Sequence, residues 1–84
     1  MKLTIRYFAS LREALGQSQE VSGLPPELSV AQLREILAAT SHAHALHLGP
    51  QKAVRCAINH RMAQEGEAVP DGAEVAFFPP VTGG

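Results

Sequence analysis

Few groups in this 84-residue chain could do chemistry, and the most unusual stand together as Phe77-Phe78-Pro79-Pro80-Val81-Thr82-Gly83-Gly84. Proline fixes φ and forces the residue before it into extended backbone, so Phe78 through Pro80 are expected to leave a strand as a stiff arm. At ~3.3 Å per residue the stretch Pro79–Gly84 reaches up to ~20 Å. Gly83 and Gly84 have no Cβ and can thread a channel too narrow for a side chain, with Val81, Thr82, Pro79 and Pro80 threading behind them. At the far end the α-carboxylate of Gly84 is unhindered. With a reference pKa of about 3.5 it is ionised at neutral pH and can attack the α-phosphate of ATP, which would make it an activated acyl group. The competing reading is a terminus that does no chemistry.

The remaining reactive types point elsewhere. Cys56 falls in register with Val54 and Ile58, the pattern of a thiol buried in the core, with a sulfur-handling role as the alternative. A single cysteine forms no internal disulfide, which fits a reducing compartment. His42, His44 and His47 could suggest a metal, but positions 42 and 44 diverge on a helix, no acid or cysteine lies beside them, and His60 belongs to a distant turn. They read as a surface loop, and no metal is expected. The carboxylates are scattered without an acid/base pair. The glycines form neither a P-loop nor a dinucleotide fingerprint, so this chain is expected to bind no cofactor, and any ATP would be held by a partner.

The composition narrows the class. Forty-five per cent hydrophobic and 18% charged residues with a formal net charge of −1 describe one ordinary globular domain. No basic patch stands out among the seven Lys and Arg, so nucleic acid is not an expected partner. The apolar stretches are far shorter than the ~20 residues of a membrane helix, and the chain opens on a strand where a signal peptide would show its basic and apolar regions. A cytoplasmic protein is expected.

The arm needs a platform, and the punctuation of the chain supplies one. Lys2–Phe8 alternates, with Leu3, Ile5 and Tyr7 on one face and Lys2, Thr4, Arg6 and Phe8 on the other, as in a half-buried strand. Phe8, Leu11 and Leu15 then follow helical spacing up to Gly16, which suits a C-terminal cap. A polar edge strand around Gln17–Ser22 pairs back in a hairpin. Ser29 and Gln32 form a capping box and Leu28 with Leu33 a hydrophobic staple, so the main helix begins at Val30 and ends near Ala39 or Thr40. Its stripe is Val30, Leu33, Ile36 and Leu37, with Gln32, Arg34 and Glu35 expected in water. Residues 41–51 are an excursion, read as a further helical turn stopped by Gly49 and Pro50. Val54, Cys56 and Ile58 point inward on a strand that returns through His60–Ala63, and Pro70-Asp71-Gly72 turns the chain into a last strand, Glu74–Phe78.

This order predicts an α+β fold, the ubiquitin-like β-grasp: a mixed sheet of about five strands on one main helix. The first strand should lie parallel to the last through a right-handed crossover, which puts the last strand mid-sheet. Another small α+β sandwich is the runner-up. Residues 1–78 form the domain and 79–84 the extended reactive tail. Phe8 and Phe78 each fall on the parity opposite their strand's main apolar set, so they are expected to be partly exposed near the arm as a docking surface, with Met62 as a neighbour. Alternatively both rings close the second side of a thin core.

The stretches DGAEVAFFPPVTGG and IRYFASLREALG resemble those of the small subunits of molybdopterin synthase, sulfur carriers of molybdenum cofactor synthesis. The likeness covers both ends, and the middle agrees in element order and in AIN before the hairpin. It implies that Gly84 is adenylated by an E1-like adenylyltransferase using ATP and converted to a thiocarboxylate with a sulfur-donating protein. The tail then enters the large synthase subunit and gives its sulfur to cyclic pyranopterin monophosphate. The resemblance also implies a heterotetramer of two small and two large subunits, with the catalytic side chains on the large one, so that this chain is a sulfurtransferase subunit. A carrier for thiamine synthesis, a ubiquitin-like modifier forming isopeptide bonds, and a β-grasp binding module without terminal chemistry are the alternatives. The Phe-Phe-Pro-Pro segment argues for the first reading over a related carrier or modifier.

Overall fold

The computed structural model describes residues 1–80; the expectations for Val81, Thr82, Gly83 and Gly84 lie outside the described residues. Eight elements follow in order: β1 (Leu3–Tyr7), α1 (Ala9–Leu15), β2 (Ser18–Val21), α2 (Val30–Ala38), α3 (His42–Leu48), β3 (Arg55–Ile58), β4 (Arg61–Ala63) and β5 (Glu74–Phe78). The strands form one mixed sheet in the order β2-β1-β5-β3-β4. β1 and β5 run parallel, with Ile5 opposite Val75 and Tyr7 opposite Phe77, and the other neighbours are antiparallel. This is the β-grasp arrangement, and the last strand lies at its centre.

Alternation decides what each strand buries. Leu3, Ile5, Tyr7, Val75 and Phe77 are all buried and meet Leu11, Val30, Leu33, Leu37 and Leu48 from the helices in one core. The start of α2 follows its sequence signals. The Ser29 hydroxyl accepts from the Gln32 N–H (3.1 Å), and the Gln32 side chain accepts from the Ser29 N–H (2.9 Å). Leu28 and Leu33, the staple pair, are both buried. Two turns set the sheet register. Asn59 and His60 between β3 and β4 both take positive φ (48° and 67°), the geometry of a two-residue hairpin turn, which Asn adopts readily and His at a cost of about 1 kcal/mol. The Asp71 carboxylate accepts from the Lys2 N–H (3.0 Å) and the Gly72 N–H donates to the Lys2 carbonyl (2.9 Å), so this turn locks β5 to the start of β1.

Three expectations need correction. Arg34 does not point to water: it is only 9% exposed. Its Nε donates to the Leu48 carbonyl (2.8 Å), Nη2 to the carbonyls of Gly49 (2.8 Å) and Lys52, and Nη1 to Glu65 (2.7 Å). A helix end leaves carbonyls without partners, and a planar cation with five donors satisfies several at once at the negative end of α3. The further helical turn read in residues 41–51 is a full helix, α3, and it carries His42, His44 and His47, which do not lie on a loop. Ser41 caps α3 by accepting from the His44 N–H (3.1 Å), and Gly49 ends it with its N–H on the Ala45 carbonyl (3.1 Å). Finally, Phe8 does not share the buried stripe of α1. It is the exposed cap residue, and Leu11 is the residue of α1 that is buried.

Candidate functional site

The sheet has a second face, away from the helices, and the candidate site lies there at the root of the arm. On β5 the consecutive rings divide. Phe77 is fully buried, its ring stacked 6.4 Å from that of Tyr7, whereas Phe78 is half-buried on the opposite side, with Pro79 and Pro80, also half-buried, directly after it. Strand register assembles the rest. Arg6 lies opposite Ala76, Ala76 opposite Ala57, and Ala57 opposite Met62, so one row crosses four strands on this face. Between the rings of Phe8 and Phe78 is a hollow of about 210 Å³, also lined by Arg6, Ala57, His60, Glu74 and Ala76. Small residues in the middle of the row leave room for it.

The site combines exposed apolar surface with a short chain of charges. Phe8 is 39% and Met62 54% exposed, unusual for side chains of this size. The Arg6 guanidinium lies 5.4 Å from the centre of the Phe8 ring. Glu74 accepts from Arg6 on one oxygen (3.4 Å) and faces His60 Nε2 with the other (3.0 Å). Phe8 and Phe78, expected as docking residues, are therefore brought together around one hollow. Met62 shares their face one strand further out and does not line the hollow. Arg6, Glu74 and His60 were not singled out as site residues, although the parity that separated Phe8 from Tyr7 also places Arg6 and Glu74 beside it.

The profile of the ThiS family matches residues 5–84. The chain belongs to the ThiS family. It is similar to the molybdopterin synthase sulfur carrier subunit of Escherichia coli strain K12, with 40% identity over 83 residues that cover 98% of this chain and 99% of the relative. Among solved structures, SAMP1 from Haloferax volcanii superposes with a TM-score of 0.78 at 26% identity, both chains covered in full. The fold also matches a chain in the complex of subunits 1 and 2 of the molybdopterin-converting factor from Helicobacter pylori, with a TM-score of 0.66, 21% identity and full coverage of both.

Within this ThiS-family chain the other reactive residues serve the core or the surface. Cys56 is buried on the helix side of β3, and burial, helped by the charges of Glu65 and Glu67, pushes its thiol up to about 11. A thiol so poorly ionised at neutral pH is a weak nucleophile. His44 sits edge-on to Tyr7 with its Nε2 3.1 Å from Gln19 Oε1, which also accepts from the Tyr7 hydroxyl (2.8 Å). Among the described residues no three His, Cys, Asp or Glu side chains are grouped to hold a metal. No helix there is long and apolar enough to cross a membrane. A larger groove, about 480 Å³, runs along α2 beside Ala31, Ala38, Leu48 and Pro50. Its buried cation, Arg34, is already bonded to the chain's own carbonyls.

Proposed function

We propose that this chain is the sulfur carrier subunit of a molybdopterin synthase. The observation that carries the reading is the 40% identity to the Escherichia coli sulfur carrier subunit across nearly the whole of both chains. The arrangement of the sheet supports it, because β5 is held between β1 and β3 and hands the chain to Pro79 and Pro80 from a fixed point. The Gly84 carboxylate attacks the α-phosphate of ATP on an E1-like adenylyltransferase, and pyrophosphate leaves. Sulfide-level sulfur delivered by a sulfur-donating protein attacks the acyl carbon, the bond to the phosphate breaks, AMP leaves, and a thiocarboxylate remains. The large synthase subunit receives the arm, supplies the catalytic side chains, and passes the sulfur to cyclic pyranopterin monophosphate. Residues 79–84 act as the reactive tail of the domain formed by 1–78. The chain itself binds no cofactor, and the cytoplasm is its place of action.

The open face is the docking surface in this reading. Six threaded residues fall well short of the ~800 Å² per partner that specific interfaces bury, so the sheet must add apolar area. Phe8, Phe78 and Met62 are the side chains that can supply it, in a heterotetramer of two small and two large subunits. A second reading, a protein modifier, is favoured by the likeness to SAMP1, the small archaeal modifier protein 1 of Haloferax volcanii.

One experiment separates these readings. The chain is incubated with its activating enzyme, ATP and a sulfur donor, and its mass is followed with and without the large subunit and pterin precursor. Sulfur transfer predicts one oxygen replaced by sulfur, reversed as the pterin dithiolene forms; a modifier predicts conjugates on lysines. Deleting Gly84, or adding one residue after it, is expected to abolish activation with an unchanged melt, since a shift of ~3.3 Å exceeds the tolerance of in-line attack. Normal adenylation of the extended chain would refute the assignment of Gly84.

A further inference from the structure

We propose that Arg6 and Glu74 are positioning residues for docking, holding the Phe8 ring in the free chain where it will meet the large subunit. This rests on the reading of the open face given above and goes beyond it, because neither residue need touch the partner. The backbone of Phe8 is already fixed. Its N–H donates to the Phe77 carbonyl (3.1 Å), and its own carbonyl accepts from the N–H groups of Leu11 (3.1 Å) and Arg12 (3.3 Å). The next residue, Ala9, takes a left-handed φ of 53°, a conformation unfavourable for a residue with a Cβ. That bend carries the chain from β1 into α1 immediately after Phe8, so Leu11 reaches the core while the Phe8 ring stays on the opposite face.

The ring itself lacks such restraints. Exposed to solvent, it would sample several rotamers, and ordering it on binding would weaken the complex. Arg6 supplies the missing restraint by lying over the ring as a cation on an aromatic face. Arg6 is long and flexible, and Glu74 anchors it from the neighbouring strand, while His60 in the β3–β4 turn holds Glu74 from the other side. The chain His60, Glu74, Arg6, Phe8 thus runs across the open face in a single layer. Both members of the Arg6–Glu74 pair are partly exposed (side chains 36% and 28%), and such pairs contribute little to folding. The effect of the chain belongs to binding.

The test is a double-mutant cycle. The wild-type chain, Glu74→Gln, Phe8→Ala and the double variant are each titrated against the purified large subunit, with a thermal melt of each free chain. Glu74→Gln is expected to weaken binding about three- to tenfold where Phe8 is present and less than about twofold where it is Ala, with melts within a few degrees of one another. Arg6→Lys keeps the charge and loses the plane that covers the ring. It should reproduce the loss, and it carries the cycle in place of Glu74→Gln if that variant folds poorly. Equal losses with and without Phe8 would overturn the proposal, because Glu74 would then act on the partner itself; so would no loss at all. If Phe8→Ala binds normally, Phe8 takes no part in docking and the positioning role falls, while Phe78→Ala decides the open-face reading separately. If Phe8→Ala binds weakly but shows no coupling to Glu74 or Arg6, docking stands and the positioning role does not.

Discussion

The same strands build both faces of the sheet, and the two faces differ in what covers them and in what they carry. On the helix side Leu3, Ile5, Tyr7, Val75 and Phe77 are buried to completion beneath three helices. On the other side Arg6, Phe8, Glu74, Ala76, Phe78, Ala57 and Met62 have no helix over them among the described residues, and ion pairs lie among the apolar groups. Phe77 and Phe78 are neighbours in sequence with opposite environments. On the docking role proposed above, strand parity separates stability from recognition: a substitution on one face should be felt in folding, and one step along the chain it should be felt in binding.

The largest expected effect breaks the covered face. Phe77→Ala should destabilise the fold by about 3–5 kcal/mol, since it leaves a cavity beside Tyr7 where nothing can collapse freely. For a domain of this size that is a fall of roughly 15–30 °C in melting temperature, and a large part of its stability. A melt within a few degrees of wild type would show that the two faces are not energetically distinct.

Arg34 is the polar exception on the covered side, and it sharpens the comparison. Arg34→Leu should cost about 2–4 kcal/mol, because three carbonyls at the end of α3 and in the loop after it lose their donors. Glu65, whose side chain is 57% exposed, can hydrate instead, so Glu65→Gln should cost less than about 1 kcal/mol. Equal losses in urea melts of the two variants would mean that the ion pair, and not the carbonyl cap, is what matters.

On the open face the order reverses. Phe78→Ala should lower stability by about 1 kcal/mol or less while weakening association with the large subunit by about 2 kcal/mol, roughly thirtyfold. Titration and melting of the same preparation decide it; intact affinity with a collapsed melt would assign Phe78 to the core.

The last effect is absent at neutral pH and appears only in alkali. Burial raises the Cys56 thiol from 9.0 to about 11 and the Tyr7 hydroxyl from 10.0 to about 12. Each folded pKa is raised, so the stability each contributes is fully present below the unfolded value and lost as pH rises through the folded one. Stability should therefore decline from about pH 9 to 11 through Cys56, with Tyr7 adding from 10 to about 12. Cys56→Ala should delay the onset toward pH 10, and melts across this range with an unmoved onset would contradict the core role of the thiol.

Most of this architecture was legible because it rests on local rules. Alternation in Leu3–Tyr7 and Glu74–Phe78, the Ser29–Gln32 capping box and the Pro-Asp-Gly turn each act over a few residues, and the right-handed crossover then places β5 beside β1. Phe8 and Phe78 were readable as outward-facing by the same parity. What escaped depends on distant partners. Arg34 falls on the polar side of a helical wheel, and only the folded chain brings the carbonyls of residues 48, 49 and 52 to it. α3 was legible only as a further helical turn, stopped by Gly49 and Pro50, because it buries Leu48 alone and so shows no apolar stripe to mark its length. The Arg6–Glu74–His60 chain needed the register between strands that are far apart in sequence.

The parallel pairing of β1 with β5 also gives the molecule a mechanical character. If the chain is drawn out along the arm while its other end is held, the two strands must slide lengthwise past each other, and their cross-links resist together in shear instead of opening one by one. β5 is gripped in the same way by β3 on its other edge. Tension applied at the end of β5 is therefore spread across the middle of the sheet.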